Sequence, residues 1–351
     1  MTTNFNLTTT FQHDFGLLLK TYRGDLVMAK RMLESIAHFN MERIPVFLLA
    51  PERDYDVFKS FLAPGSVDFV AEESIKEPTY SVSEGNAQAG YMNQQIYKLA
   101  FGSLGLTRSY LCLDSDGVFV RDFFLHDFID QPSQMPFTFM LADSELMAED
   151  AYYASTFQPR MKNITKIFEA TEVSKGSVFL SIHNFQILQS EFIDDLRQHL
   201  FSKLKIQSFK EMLEIVGNEF NWYTQYVRAS GRPFAPREPI FKTFHSSREL
   251  VRSLYFGLGP QQYARGYVGV CVNSNFQHGR GKKAPLSLAS NPSVTSGIYL
   301  TLRENLRLLA FSLGGGGGLP SFSIRKNRKP HAETVTEMTP SDCHLNIVPL
   351  S

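Results

Sequence analysis

Two almost wholly apolar runs, FGLLLKTY at 15–22 and PVFLLA at 45–50, flank a segment whose apolar residues recur at helical spacing. A strand with no polar face must be covered on both sides, the condition of strands in a parallel sheet between layers of helices. In LVMAKRMLESIAHF, Leu26, Ala29, Leu33, Ile36 and Ala37 fall on one stripe of a 3.6-residue period, and Asp25 stands where the helix N-cap belongs. The alternation continues with a helix over 54–62 and a weaker strand, VDFVA, at 67–71. A polar surface loop follows to residue 90, then a helix over 91–104 with Met92, Ile96, Leu99 and Ser103 on one face, then the strand SYLCL at 109–113. Strand, helix, strand in this order predicts an α/β fold built on a mostly parallel sheet flanked by helices.

Further strands are expected at 118–120, 137–143, 176–181, 240–244 and 267–272, and helices over 185–201 and 219–229. From about residue 273 the sequence turns polar and Gly/Pro-punctuated. An amphipathic helix is predicted over 298–313, and GGGGG at 314–318 opens a tail expected to be mobile. The reading is therefore a main domain over 1–275, a polar linker and helix over 276–313, and a tail over 314–351. Residues 273–351 hold nine Lys/Arg against four Asp/Glu. That excess suits either a solvated tail or a surface helix touching a partner or an anionic lipid headgroup.

Lys+Arg and Asp+Glu both number 35, so no global field favours a polyanion, and GRGKK and SIRKNRKP are too short to bind nucleic acid without an aromatic platform. The N-terminus lacks a basic region followed by an apolar one, and no stretch reaches the roughly 18 apolar residues of a membrane span. A soluble cytoplasmic protein, or one peripheral at the inner face of the membrane, is expected. Three scattered cysteines exclude a disulfide framework; Cys112 and Cys271 read as buried thiols.

The run YLCLDSDGVF, 110–119, closes an apolar strand with Asp114 and Asp116. Charges there are costly to desolvate unless paired or metal-bound. They also fall at the carboxyl edge of the sheet, where ligands of open α/β folds bind. Two carboxylates at i and i+2 can converge on a hard divalent cation, Mg²⁺ or Mn²⁺, whose shell is usually completed by substrate phosphates. Asp-Ser-Asp-Gly is also ordinary turn chemistry.

Here the sequence resembles a known superfamily. YLCLDSDGVFVRDF is similar to the DxD segment of GT-A fold glycosyltransferases. With LLLKTYRGDLVMAKRMLESIAHF, GYMNQQIYKLAFGSLGLTRSYLCLDSD and NEFNWYTQYV it resembles a group of bacterial glycosyltransferase-like proteins, over roughly residues 15–275. The resemblance implies a GT-A-like, Rossmann-type fold, a nucleotide-sugar donor such as a UDP-sugar, and a glycan or lipid-linked acceptor in surface polysaccharide or lipopolysaccharide synthesis. It also implies Mn²⁺ or Mg²⁺ between the DxD carboxylates and the donor diphosphate. Asp116 is the first choice for direct coordination. Asp114 would contact the metal through water or hold donor hydroxyls, and His245 would be a late third ligand.

Glu219 would open a helix, as an acceptor-side base or nucleophile or as a first-turn glutamate that only stabilises the helix. Asn218 replaces the aspartate that precedes such a glutamate in some retaining enzymes. Trp222 and Tyr223 would wall an acceptor pocket or pack the core. Donor contacts are expected from Lys20, Thr21, Tyr22, Arg23 and Asp25 after the first strand, and from Gln94, Gln95 and Lys98, of which only Gln95 and Lys98 share a face. Asn273, Ser274 and Asn275 would cover the diphosphate.

LDSDGVF also resembles the aspartyl-nucleophile motif of haloacid dehalogenase-like phosphatases, with Asp114 as nucleophile and Asp116 as acid/base. Three strand-like units precede it, however, and the later Asp194–Asp195 pair falls in a predicted helix. A third alternative is a binding module that kept the fold without the chemistry. No P-loop, G-x-G-x-x-G, G-x-S-x-G or H-E-x-x-H motif is present.

Overall fold

The computed structural model describes residues 11–82, 87–142, 163–164, 166–168, 179–180, 185–244, 250 and 253–272. The chain divides into two compact units, Met1–His245 with Gln261–Asn273, and Ser246–Pro260 with Ser274–Ser351. The predicted C-terminal helix and tail lie outside the described residues.

The first unit is α/β. Strands β1 (His13–Lys20), β2 (Val46–Ala50), β3 (Asp68–Ala71) and β4 (Thr107–Leu113) pair in parallel, and β10 (Gln186–Gln189) adds antiparallel to β4, giving the order β10-β4-β1-β2-β3. Alternate residues of each strand enter opposite layers. Leu17 and Leu19 of β1 pack with Ala29, Met32, Leu33 and Ile36 of α1 (Leu26–Phe39), whereas Leu18 joins Ile96 and Leu99 of α3 (Ala87–Ala100). This two-sided burial is why the strands read as continuous apolar runs rather than alternating ones. The short α2 (Tyr55–Lys59) links β2 to β3.

Three smaller sheets follow: β11 (Ala235–Arg237) with β7 (Met135–Phe139) and β6 (Ile129–Asp130); β12 (Phe241–Phe244) with β13 (Gly269–Val272) and β5 (Gly117–Phe119); and β8 (Leu141–Ala142) with β9 (Phe179–Leu180). Helices α4 (Ser190–Leu204), α5 (Phe209–Ile215) and α6 (Glu219–Ala229) supply the layer over β4 and β10.

Four sequence expectations need correction. The helix predicted over 185–201 begins as a strand: Ile187 and Leu188 are fully buried and residues 186–189 pair with Ser109–Cys112, so the helix starts only at Ser190. A four-residue strand, Gln-Ile-Leu-Gln, abutting a helix is too short to show a period of its own, and sheet pairing decides it. The loop expected to residue 90 ends earlier, since α3 begins at Ala87, and its last turn tightens into a 3-10 segment, Phe101–Leu104, stopped by Gly105 at φ 68°. The helix over 54–62 is cut to 55–59. Ala37 is exposed; Met32 and Ser35 complete the buried face instead.

Ser35 ties α1 to the strand after the acidic turn. Its Oγ accepts from the Phe119 amide at 3.0 Å. Gly117, between the turn and that strand, sits under an aromatic stack: a β-carbon there would lie 2.6 Å from Cζ of Phe185, itself stacked on Phe241, and 2.9 Å from Cε of Met32. Gly117→Ala should therefore cost about 1–3 kcal/mol of stability through overpacking. Chemical denaturation would register this as a lower midpoint at unchanged m-value.

Candidate active site at the carboxyl edge of the sheet

Strands β1 and β4 are parallel neighbours, with Leu19 opposite Leu113, so the segments leaving their carboxyl ends must meet. Asp114, Ser115 and Asp116 form the turn from β4 into β5, closed by the Gly117 amide donating to the Asp114 carbonyl at 3.2 Å. Asp25 occupies the N-cap position of α1 without capping it: its Oδ2 accepts instead from Ser115 Oγ at 3.2 Å. A cap residue diverted to the acidic turn brings a third carboxylate to that edge.

Behind the turn lies a buried ion triad. Lys98 Nζ donates to Asp114 Oδ1 at 2.6 Å and to Glu219 Oε1 at 3.3 Å, and lies 4.9 Å from the centre of the Phe220 ring. The Lys98 side chain is 2% exposed, that of Glu219 8% and that of Asp114 19%. Burial works against the Lys98 ammonium, but the Asp114 and Glu219 carboxylates outweigh it and hold its pKa above the ordinary lysine value. Burial pushes the Glu219 carboxyl up; Lys98 pulls it down and Asp114 pushes it further up. Two carboxylates around one ammonium leave the triad with a formal charge of about −1.

Glu219 opens α6, as its sequence position predicts, after the N-cap Asn218, whose Oδ1 accepts from the Asn221 amide at 3.0 Å. Asp116 points toward β13: its Oδ1 accepts from Cys271 Sγ at 3.1 Å, and its carbonyl accepts from the Val272 amide at 3.2 Å. Cys112 and Cys271 are buried free thiols, in agreement with the sequence.

The loop after β1 has partners of its own. Lys20 Nζ pairs with Glu72 Oε1 at 2.6 Å and lies over the Tyr97 ring, joining the carboxyl ends of β1 and β3. Thr21 is buried and its Oγ1 has no hydrogen-bond partner among the described residues. Tyr22 is half exposed, and the Arg23 guanidinium and amide both bind the buried Asp54 carboxylate, at 2.6 and 2.9 Å. Gln95 is buried beside Lys98 on α3, with Oε1 unpartnered among the described residues, and Gln94 is partly exposed. Gln95 and Lys98 thus do not belong to a solvated helix face. His245, Asn273, Ser274 and Asn275 lie outside the described residues.

Trp222 and Tyr223 do not wall a pocket. Both are fully buried; Trp222 Nε1 donates to the Val216 carbonyl at 2.8 Å, and Tyr223 Oη accepts from the Gln189 amide at 3.2 Å. Aromatic residues at adjacent helical positions pack the core when the helix is covered all round, as α6 is from Glu219 to Val227. Asp194 and Asp195 lie on α4, with Asp195 accepting from Tyr226 Oη at 2.8 Å, and so supply no second acidic loop of the phosphatase kind.

Sequence reasoning missed Ser115, Glu72, Asp54 and the contact of Cys271 with Asp116. Glu72 was legible in principle, since it is the first residue past β3 and therefore at the same sheet edge as Lys20. A cavity of about 520 Å³, lined among others by Leu33, Ile36, Ile44, Phe61 and Val67, lies at the amino ends of β2 and β3 and holds none of the acidic-turn residues.

Among the described residues, no group of three or more His, Cys, Asp or Glu could by itself hold a metal ion. Mg²⁺ and Mn²⁺ sites commonly use one or two carboxylates with waters and substrate phosphates. Lys98 donates to Asp114 Oδ1 and Cys271 to Asp116 Oδ1, and a carboxylate offers about four lone-pair sites. The two therefore suit part of such a shell.

A family model matches residues 16–248 of the chain. The chain belongs to that family, a family of unknown function (DUF6492). The match takes in the five-stranded sheet from Gly16 of β1 onward, the acidic turn, Lys98 and Glu219. No curated protein matches the chain. Among solved structures, it is similar to mouse xyloside xylosyltransferase 1 in its apo form, at 14% identity and a TM-score of 0.42, covering 75% of this chain and 99% of that one. It is also similar to the galactosyltransferase LgtC in complex with donor and acceptor sugar analogues, at 11% identity and a TM-score of 0.41, covering 74% of this chain and 86% of that one. Among the described residues, no helix is long and apolar enough to cross a membrane.

Proposed function

We propose that this member of the DUF6492 family is a metal-dependent glycosyltransferase that moves a sugar from a nucleoside-diphosphate sugar, a UDP-sugar, to the hydroxyl of a glycan or lipid-linked acceptor. The observation that carries the reading is the meeting of Asp25, Asp114 and Asp116 with the Lys98–Glu219 pair at one carboxyl edge of the sheet. Asp116 would be the principal protein ligand of Mn²⁺ or Mg²⁺, with His245 as a further one. Asp114, its Oδ1 already held by Lys98, would serve the metal through its second oxygen or through water. A divalent ion bound there supplies Lewis-acid stabilisation of the charge that develops on the departing diphosphate.

The protein's own groups do the rest. Tyr22 and Asp25 would face the nucleoside from the loop after β1, with buried Thr21 and the Lys20–Glu72 pair supporting that loop. Gln95 and Lys98 would support the site from α3, Lys98 through Asp114, and Asn273 and Ser274, outside the described residues, would cover the diphosphate. Glu219 would accept the acceptor proton or attack the anomeric carbon; its raised pKa moves it toward the working range of a general base. A nucleotide-sugar screen by thermal shift tests this, because a ligand of the native state raises Tm by mass action. A UDP-sugar should raise Tm with Mn²⁺ present and leave it unchanged with a chelator. A panel that shifts nothing with metal, or shifts the melt equally without it, rejects the reading.

A further inference from the structure

Lys98 is in an unusual place for an ammonium group. It is interior, it is fixed on two carboxylates and an aromatic face, and one of those carboxylates is the first of the acidic turn. We propose that Lys98 is a positioning residue that acts as a resident countercation: it keeps the bare site's affinity for a divalent ion low, so that the ion is taken up together with an anionic diphosphate. This rests on the metal-dependent reading above.

The argument is one of charge and immobility. Two cations served by the same carboxylate repel each other across a few ångströms. At about 4 Å a unit charge changes the affinity for a divalent ion by about thirtyfold in water, and by more in a partly desolvated site. A surface lysine would relieve the repulsion by swinging into solvent. Lys98 has no such route, because its side chain is 2% exposed and Glu219 and Phe220 hold it from the far side. A diphosphate relieves the repulsion by bringing negative charge of its own. Metal and diphosphate should then each tighten the other's binding by the same factor, as linkage requires. Glu219 sets the strength of the device, since it shares the ammonium with Asp114.

Removing the ammonium and removing its second carboxylate should therefore act in opposite directions. Free Mn²⁺ measured by electron paramagnetic resonance, on the full chain with and without UDP, reads both. Lys98→Met should bind Mn²⁺ alone at least about tenfold more tightly than the parent, and the tightening by UDP should shrink by a similar factor. Glu219→Gln leaves the whole ammonium on Asp114 and should weaken Mn²⁺ binding by about threefold or more. A lysine that merely holds α3, β4 and α6 together predicts the reverse for Lys98→Met, namely Mn²⁺ binding equal to or weaker than the parent's, and that result overturns the proposal. If Lys98→Met does not fold, Glu219→Gln decides: unchanged or tighter Mn²⁺ binding rejects it. A parent that binds no Mn²⁺, with or without UDP, removes the metal-dependent reading and this proposal with it. A parent that binds Mn²⁺ with UDP, beside a folded Lys98→Met that gains nothing, removes this proposal alone.

Discussion

Trp222→Ala should lower the free energy of unfolding by about 3–5 kcal/mol, the usual cost of truncating a large buried aromatic. The indole is fully buried, packs near the Phe168 ring and donates from Nε1 to the Val216 carbonyl at 2.8 Å. Truncation therefore removes dispersion contacts, opens a cavity and takes one of two donors from the Val216 carbonyl, which keeps the Asn218 amide at 3.1 Å. At about 2–4 °C per kcal/mol for domains of 150–250 residues, the melting temperature should fall by several degrees at least. Below that transition the folded variant should bind a UDP-sugar as the parent does, because the indole has no surface to offer a ligand. An unshifted melt with weakened acceptor binding would return Trp222 to the pocket wall. Trp222→Phe should recover most of the packing and lose about 1 kcal/mol, the hydrogen-bond share.

The same residue shows how far the sequence could be read. Its helix was legible because apolar residues recur along 219–229, and Asn218 is a good cap. The all-round burial of the helix was not, because Asn221, Thr224 and Gln225 are buried polar residues that a hydrophobicity pattern places outside. The parallel sheet was legible for the opposite reason: β1, β2 and β4 are apolar on both faces, and two-sided burial writes itself into composition. The edge strand β10 escaped because its pairing partner lies more than 70 residues away at Ser109–Cys112, a long-range contact with no local signature.

The candidate site divides along the same line. The acidic turn and Glu219 could be placed by counting to strand and helix ends. The Lys98 bridge between them could not, since α3, β4 and α6 converge only through tertiary packing. Asp25 is instructive in another way: its position predicts a capping hydrogen bond, and the fold instead gives its carboxylate to Ser115. Where a local rule is broken in favour of a long-range contact, a function for that contact is the natural inference.

Asp116→Asn should weaken Mn²⁺-dependent binding of UDP or a UDP-sugar by at least about 100-fold, more than the 10–100-fold that loss of an outer-shell partner costs. The substitution is nearly isosteric. The amide oxygen can still accept from Cys271 Sγ, and the backbone carbonyl still receives the Val272 amide, so the turn and its join to β13 survive. What is lost is one negative charge at a partly exposed position, and the melting temperature without ligand should stay within about 2 °C of the parent's, as for most substitutions outside the core. Asp114→Asn should behave differently. There the carboxylate is the nearer partner of a buried ammonium, so its neutralisation costs about 3 kcal/mol or more of stability along with donor binding. The contrast between the two variants separates a ligand-facing carboxylate from a charge-matched one. Equal losses of stability in both, or undiminished Mn²⁺-dependent binding in Asp116→Asn, would mean that the second aspartate of the turn is not where the ion is held.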